Sequence, residues 1–356
     1  MRKESLEFLK NLLSARGPSG FETSVQKVWH DYVADFADEI HTNAYGNIAA
    51  VVNPQGDPKI MLDAHVDEIG LMVKHIDDKG FIYFQKIGGV DPAVLQGLRV
   101  NIHTAKGIVR GVVAATAFFY KDDEKKKKVP KIHEIYIDIG AKDKKDAQKR
   151  VAIGDPITFS EEFKVINGSI ITSRSLDDRA GIWTIAEALR LIATKKKQLN
   201  CAVYACSVVQ EELGLHGAAM NVINVEPHAA IAVDVTHATD TPGIDRKQHG
   251  EIKLGQGPTV SIGRENHRAI VQRLRNIAER KKLKLQIETF SITGGTDALA
   301  IYSKLGGVPS AILGLPNRYM HTAVELVDLN DLQTAADLLS AFCLDIKKGE
   351  RFSVKI

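Results

Sequence analysis

The run from Cys201 to Val209 is apolar almost throughout and then stops abruptly at Gln210-Glu211-Glu212-Leu213-Gly214. An apolar segment of that length reads as a strand buried on both faces, which requires helices above and below it and so implies a parallel α/β sheet. In such sheets reacting groups collect just beyond the carboxyl ends of the strands. Glu211 and Glu212 stand at that place, and adjacent carboxylates permit a division of labour: one binds a metal while the other moves a proton. Taken alone, the pair fits better the first turn of a helix, where the macrodipole favours acids.

Composition narrows the choice. The chain has 356 residues, 44% hydrophobic and 26% charged, enough for two domains with ample core. A net charge of +3, with basic and acidic residues interspersed, offers no surface for nucleic acid or an anionic membrane. No apolar run approaches the length of a membrane span, and the first ten residues lack the apolar core of a signal peptide, so a cytoplasmic location is expected. Cys201, Cys206 and Cys343 lie in apolar runs without metal-type spacing and are expected as reduced core residues.

In chain order, Leu6, Leu9, Leu12 and Leu13 at helical spacing predict a first helix, closed by Gly17-Pro18-Ser19-Gly20. A second, begun at Phe21-Glu22, carries Val25, Val28, Trp29 and Val33 on its core face. Strands are predicted at 48–52 and 59–64. The latter runs into His65-Val66-Asp67-Glu68, and alternation puts His65 and Asp67 on one face, where Asp67 would orient the imidazole if His65 binds a metal. From 69 to 164 short β-like runs dominate (70–73, 81–84, 99–103, 107–113 and 132–139), which predicts a small β-barrel or sandwich inserted into an α/β domain made of 1–68 and 165–356. The charged stretch 121–128 reads as a mobile, solvated loop. His75, His103 and His133 have no acidic partners and receive no role.

The α/β pattern resumes at Ile170. Ser175-Leu176-Asp177-Asp178-Arg179 opens a helix, with capping as the plainer role for both acids. A strand at 229–233 ends in Asp234. The segment 236–257 reads as irregular, and its His237 and His249 either line a substrate pocket or face solvent. A helix at 268–279, strands at 283–288 and 308–314, a helix opening at Gly294-Gly295-Thr296-Asp297 and a closing helix at 330–347 complete the pattern. His321 lies in the loop 316–322.

His65, Asp177, Glu212, Asp234 and His321 thus stand at successive strand ends and helix starts. Three carboxylates crowded into one partly buried cleft would repel one another at a cost of several kcal/mol unless cations lay between them. Two divalent ions leave such a site near neutral once a hydroxide is bound, and one carboxylate must then bridge. Mixed nitrogen and oxygen donors suit zinc, cobalt or manganese better than magnesium or calcium.

At this point the sequence resembles the dinuclear metallo-aminopeptidases that include tetrahedral aminopeptidase and glutamyl aminopeptidase. The resemblance covers nearly the whole chain, through Gly17-Pro18-Ser19-Gly20-Phe21-Glu22, Ala64-His65-Val66-Asp67-Glu68-Ile69-Gly70, Leu176-Asp177-Asp178-Arg179, Val209-Gln210-Glu211-Glu212-Leu213-Gly214, Asp234-Val235-Thr236, Gly294-Gly295-Thr296-Asp297 and Arg318-Tyr319-Met320-His321. It implies a zinc-peptidase-like mixed sheet with an inserted dimerisation barrel. It makes His65 and Asp234 ligands of one metal, Glu212 and His321 ligands of the other, and Asp177 the bridge. Glu211 becomes the general base that works on a bridging hydroxide, Asp67 supports His65, and the Asp177-Asp178 bond is expected to be cis. Short peptides would be the substrates, Zn2+ or Co2+ (with Mn2+ a third option) the cofactor, and dimers assembling to a dodecamer the quaternary form. Asn43, where relatives usually carry Asp, and residues 115–120, where they carry a proline-containing segment, depart from the pattern. A dinuclear deacylase or carboxypeptidase is the nearest alternative. An endoglucanase, a label given to some relatives, fits less well, because aromatics for sugar stacking are only 6% of the chain. A binding or scaffold protein on the same fold fits poorly with a complete ligand set and base.

Overall fold

The computed structural model of the protein describes residues 1–120, 122, 128–291 and 295–354. Helices α1 (Lys3–Ser14) and α2 (Thr23–Val33) form as their spacing predicts, burying Leu9, Leu12, Val25 and Trp29. Strands β1 (Glu39–Thr42), β2 (Ile48–Val52) and β3 (Lys59–His65) follow. Within five residues of His65 the chain enters a closed antiparallel barrel. Its strands are β4 (Gly70–Ile76), β5 (Ile82–Ile87), β6 (Arg99–Thr104), β7 (Gly107–Ala115), β8 (Ile135–Asp138) and β9 (Pro156–Phe159), joined in the order β4-β5-β8-β7-β6-β9. Alternate residues such as Leu71, Val73, Val100, Ile102, Ile135 and Ile137 fill its interior, as a period of two requires. Closure leaves no free strand edge. Helix α3 (Lys144–Arg150) adds Ala147 to that core.

The barrel delivers the chain to β10 (Lys164–Asn167) and β11 (Ile170–Ser173), and then to α4 (Leu176–Ala193). Next come β12 (Ala202–Val208), α5 (His216–Val225), β13 (Ala229–His237), α6 (Arg246–His249), β14 (Thr259–Ile262), α7 (Arg268–Lys281), β15 (Gln286–Thr289), α8 (Asp297–Tyr302), β16 (Ser310–Asn317), β17 (Glu325–Asp328) and α9 (Leu329–Asp345). Eight strands form one mixed sheet in the order β1-β2-β12-β3-β13-β16-β14-β15, and β10, β11 and β17 form a second, antiparallel one. The central strands β12, β3, β13 and β16 are parallel to their neighbours in that group and buried on both faces. Ile60, Leu62, Ala205 and Ile231 pack against α1, α2, α4, α7 and α9, while Met61, Cys206 and Ala230 pack against α5 and α8. Both faces being covered explains why these strands read as continuous apolar runs.

The mixed sheet flanked by helices, with a barrel inserted after β3, is the architecture the sequence predicts. Trp29 and Trp183 are core residues, with Trp183 Nε1 donating to the Ser5 carbonyl at 2.8 Å. The three cysteines are free and buried. Among the described residues no helix is long and apolar enough to cross a membrane. Several boundaries differ from expectation. β13 does not end at Asp234, because residues 234–237 stay paired in register with Gly314–Asn317 of β16. The segment taken as irregular therefore begins as strand, and β14 and β17 lie in stretches where no strand was expected. The charged stretch 121–128, apart from Asp122 and Lys128, and Gly294 fall outside the described residues.

Candidate active site

The sheet brings all five expected metal-ligating residues to one place. His65 closes β3, Asp177 opens α4, Glu212 follows β12, Asp234 lies in β13 and His321 lies between β16 and β17. His65 Nε2 is 3.1 Å from Asp177 Oδ1 and 3.8 Å from Asp234 Oδ1. His321 Nε2 is 3.3 Å from Asp177 Oδ2 and 3.2 Å from Glu212 Oε1. Asp177 therefore turns one oxygen to each imidazole. Glu211 Oε2 is 3.9 Å from His65 Nε2.

Local backbone explains how these side chains converge. Asp177 and Asp178 have non-helical angles, and the peptide bond between them is cis, as expected. The two acids then take different parts. Asp178 Oδ1 accepts from the Gly181 amide at 3.0 Å, which is the capping role, while Asp177 faces the imidazoles. Ser175, Gln210, Tyr319 and His321 all sit at positive φ in the turns that carry the acids and His321. Non-glycine residues held there cost on the order of 1–3 kcal/mol each and persist where the surroundings over-determine them.

Asp67 has a wider role than orienting one ring. His65 Nδ1 donates to the Asp67 carbonyl at 3.2 Å and lies 3.5 Å from its carboxylate. That carboxylate accepts from Ser19 Oγ at 2.6 Å and from the amides of Glu211 and Glu212 at 3.0 and 3.2 Å. One fully buried side chain thus fixes the first imidazole and the acidic pair together. Behind it Glu68 pairs with buried Arg174 and with Arg179 at 2.7 Å and accepts from the Gly17 amide at 3.0 Å. A Cβ on Gly17 would lie 2.6 Å from Val25 Cγ1 and 2.9 Å from Arg179 Nη2, so a larger residue there would have to displace both buried side chains.

The barrel supplies the remaining wall. The Gly89 carbonyl accepts from His321 Nδ1 at 3.2 Å, leaving Nε2 to face Asp177 and Glu212. A Cβ on Gly89 would lie 2.6 Å from that Nδ1.

The electrostatics are those of crowded acids. Burial pushes Glu211 up to about 10, with Asp234, Asp297 and Glu212 adding to the push against the pull of His65. Burial likewise takes Asp234 up to about 7 and raises Glu212. Burial acts the same way on Asp177, but hydrogen bonds from His321 and His65 overcome it and hold the carboxyl below its usual range. Hydrogen bonds to Asp177 and Glu212 raise His321 to about 11. Protons thus do part of the work of neutralising these acids, and a dication does that work more completely.

Ligand atoms of His65, Asp177 and Glu212 lie within 4.8 Å of one another, and so do those of His65, Asp178 and Asp234. The buried Asp178 Oδ2 has no hydrogen-bond partner among the described residues. A mixed nitrogen and oxygen donor set this close fits divalent transition metals. Sequence reasoning missed Asp178 as a neighbour of the cluster and overlooked Glu325. Glu325 accepts from the amides of Asp177 and His321, and its place four residues after His321 is the only signal that pointed to it. His103 donates or accepts at Thr158 Oγ1 (2.8 Å) within the barrel. His237 and His249 bring no ligand atom into either donor group.

A family profile described as M42 glutamyl aminopeptidase matches residues 46–338. A lysyl aminopeptidase of Pyrococcus furiosus is 32% identical over 96% of this chain and 97% of its own length. The crystal structure of a TET aminopeptidase from a marine sediment archaeon of the Thaumarchaeota superposes with a TM-score of 0.92 at 32% identity, covering 96% of each chain. The TET1 peptidase of Pyrococcus horikoshii, which can assemble into a tetrahedron or a large octahedral shell, superposes with a TM-score of 0.85 at 32% identity, over 96% of this chain and all of that one.

Proposed function

The chain belongs to the M42 glutamyl aminopeptidase family, and on that premise we propose that it is a dinuclear metal-dependent aminopeptidase that removes N-terminal residues from short peptides, with Glu211 as general base. The observation that carries this reading is the position of Asp177 between two imidazoles, with Asp234 beside one and Glu212 beside the other. His65 and Asp234 would hold one ion, Glu212 and His321 the second, and Asp177 would bridge them. Zn2+ or Co2+ is proposed, with Mn2+ third, since imidazole and carboxylate donors suit these ions. When bound, such a pair of ions lowers the pKa of a captured water and polarises a carbonyl.

The protein's own groups do the rest. Glu211, which neighbouring dications would hold ionised in place of the proton that burial otherwise keeps on it, accepts the proton of the attacking water and delivers it to the leaving amine nitrogen as the peptide bond breaks. Asp67 keeps the amides of Glu211 and Glu212 fixed, so base and ligand hold one mutual orientation throughout. Gly89 and Asp67 carbonyls hold the imidazole tautomers that leave both Nε2 atoms free to bind.

Residues 1–68 and 165–356 form the catalytic domain in this reading, and 69–164 a dimerisation domain through which dimers build a dodecamer. Three free buried cysteines agree with a cytoplasmic location. Dialysis against EDTA should abolish hydrolysis of aminoacyl-anilides, and Zn2+, Co2+ or Mn2+ should restore it with two ions per chain. Undiminished turnover by metal-stripped protein would end the proposal. A preference for N-acylated or C-terminal substrates over free-amine anilides would instead favour a deacylase or carboxypeptidase.

A further inference from the structure

We propose that Glu325 is a positioning residue of the metal centre, a two-headed acceptor that fixes the bridging Asp177 and the ligand His321 relative to each other. This rests on the ligand assignment above. Glu325 Oε2 accepts from the Asp177 amide at 2.9 Å, and Oε1 accepts from the His321 amide at 3.0 Å. The residue is 2% exposed, and no lysine or arginine pairs with it among the described residues.

The two amides belong to chain segments 144 residues apart in sequence, yet neither has a ladder acceptor: Asp177 lies in the non-helical first turn of α4 and His321 in a turn between strands. His321 is at φ 61°, and Asp177 lies two residues after the left-handed Ser175. A buried amide without a ladder partner must find another acceptor, and here one carboxylate serves both. Glu325 itself stands on a firm base. It opens β17 opposite Ser173, the last residue of β11, and Leu326 beside it bridges to Arg318 at the end of β16. The clamp therefore ties the stems of both ligand-bearing turns to the same small sheet.

Only a carboxylate fits this task. Each of its oxygens accepts, so two converging N–H groups are both satisfied. A glutamine of the same shape accepts at one oxygen and turns an NH2 against the other donor.

The test uses full-length protein stripped with chelator and titrated with Co2+, following heat release and the visible absorption of the bound ion. E325Q is expected to keep the wild-type circular dichroism, to melt somewhat lower than stripped wild type because one buried amide loses its acceptor, and to lose about 10–100-fold in affinity for at least one ion. E325D, which keeps the charge but falls short by one methylene, is the second variant should E325Q fail to fold, and the same loss is expected. A folded variant that binds two ions with wild-type affinity would overturn the clamp, whatever its turnover. If wild-type protein itself took up no Co2+, the metal centre would fall and the clamp with it, so the two failures are distinguishable.

Discussion

Replacing Glu211 by glutamine isolates the proton-moving step. The side chain is largely buried, 3.9 Å from His65 Nε2, and belongs to none of the close donor groups. The amide has the same shape and can donate toward water but cannot take its proton. General acid–base catalysis is worth about 10²–10⁴-fold, so kcat should fall by that factor, or ~2.7–5.4 kcal/mol of transition-state stabilisation. The ligands are untouched, so metal content should stay at the wild-type ratio and KM should change little. The acid removed is one that burial holds near 10 and that Asp234 and Glu212 repel. The stripped variant should therefore melt no lower than stripped wild type in mild alkali. Initial rates on an aminoacyl-anilide, with metal measured on the same samples, provide the assay. A metal-replete variant within about ten-fold of wild-type kcat would refute the role, because a base contributes more than that.

Other expectations concern the supports and the charge. D67N turns an amide nitrogen toward one of the donors Ser19 Oγ, Glu211 N and Glu212 N, and should lower kcat/KM by about 10–100-fold; steady-state kinetics check it, and a loss under about three-fold would count against the shared anchor. G89A drives a Cβ against His321 and should weaken metal binding by about ten-fold or more without unfolding the barrel, as metal titration and circular dichroism would show. In EDTA the protein should lose thermal stability as pH rises. Asp63 and Asp234 at about 7 and Glu211 at about 10 all lie above their usual values, so the stability they confer is complete below the unfolded pKa and is lost as pH passes through the folded one. His321, raised to about 11, acts with the same sign. Melting curves from about pH 5 to about pH 9 should show the midpoint falling, more steeply without metal than with it, and a rising midpoint would contradict the sign.

The central strands were legible because burial on both faces writes itself as uninterrupted apolar sequence, as in Cys201 to Val209. Strands of four residues, such as β14 and β17, carry too few alternations to stand out, and they are defined by pairing, β14 with β15 and β16 and β17 with β11. Asp234 misled as a terminator for a related reason: a polar residue ends an apolar run, but a ladder ends only where the partner strand leaves. The proposed ligands could be picked out because ionisable residues at strand ends are rare in an apolar setting. Their supports were not. Ser19 reaches Asp67 across 48 residues, Glu325 reaches Asp177 across 148 and the Gly89 carbonyl meets His321 across 232, and pairings so distant leave little local spacing to read.

Gly89, two residues beyond β5, has a consequence for recombining this fold. Because the turn that seats His321 is lent by the barrel, exchanging that module between relatives also changes the surroundings of the candidate site. A chimera would inherit turnover only if the donor's loop presented a carbonyl at the same reach and no methyl group in its path.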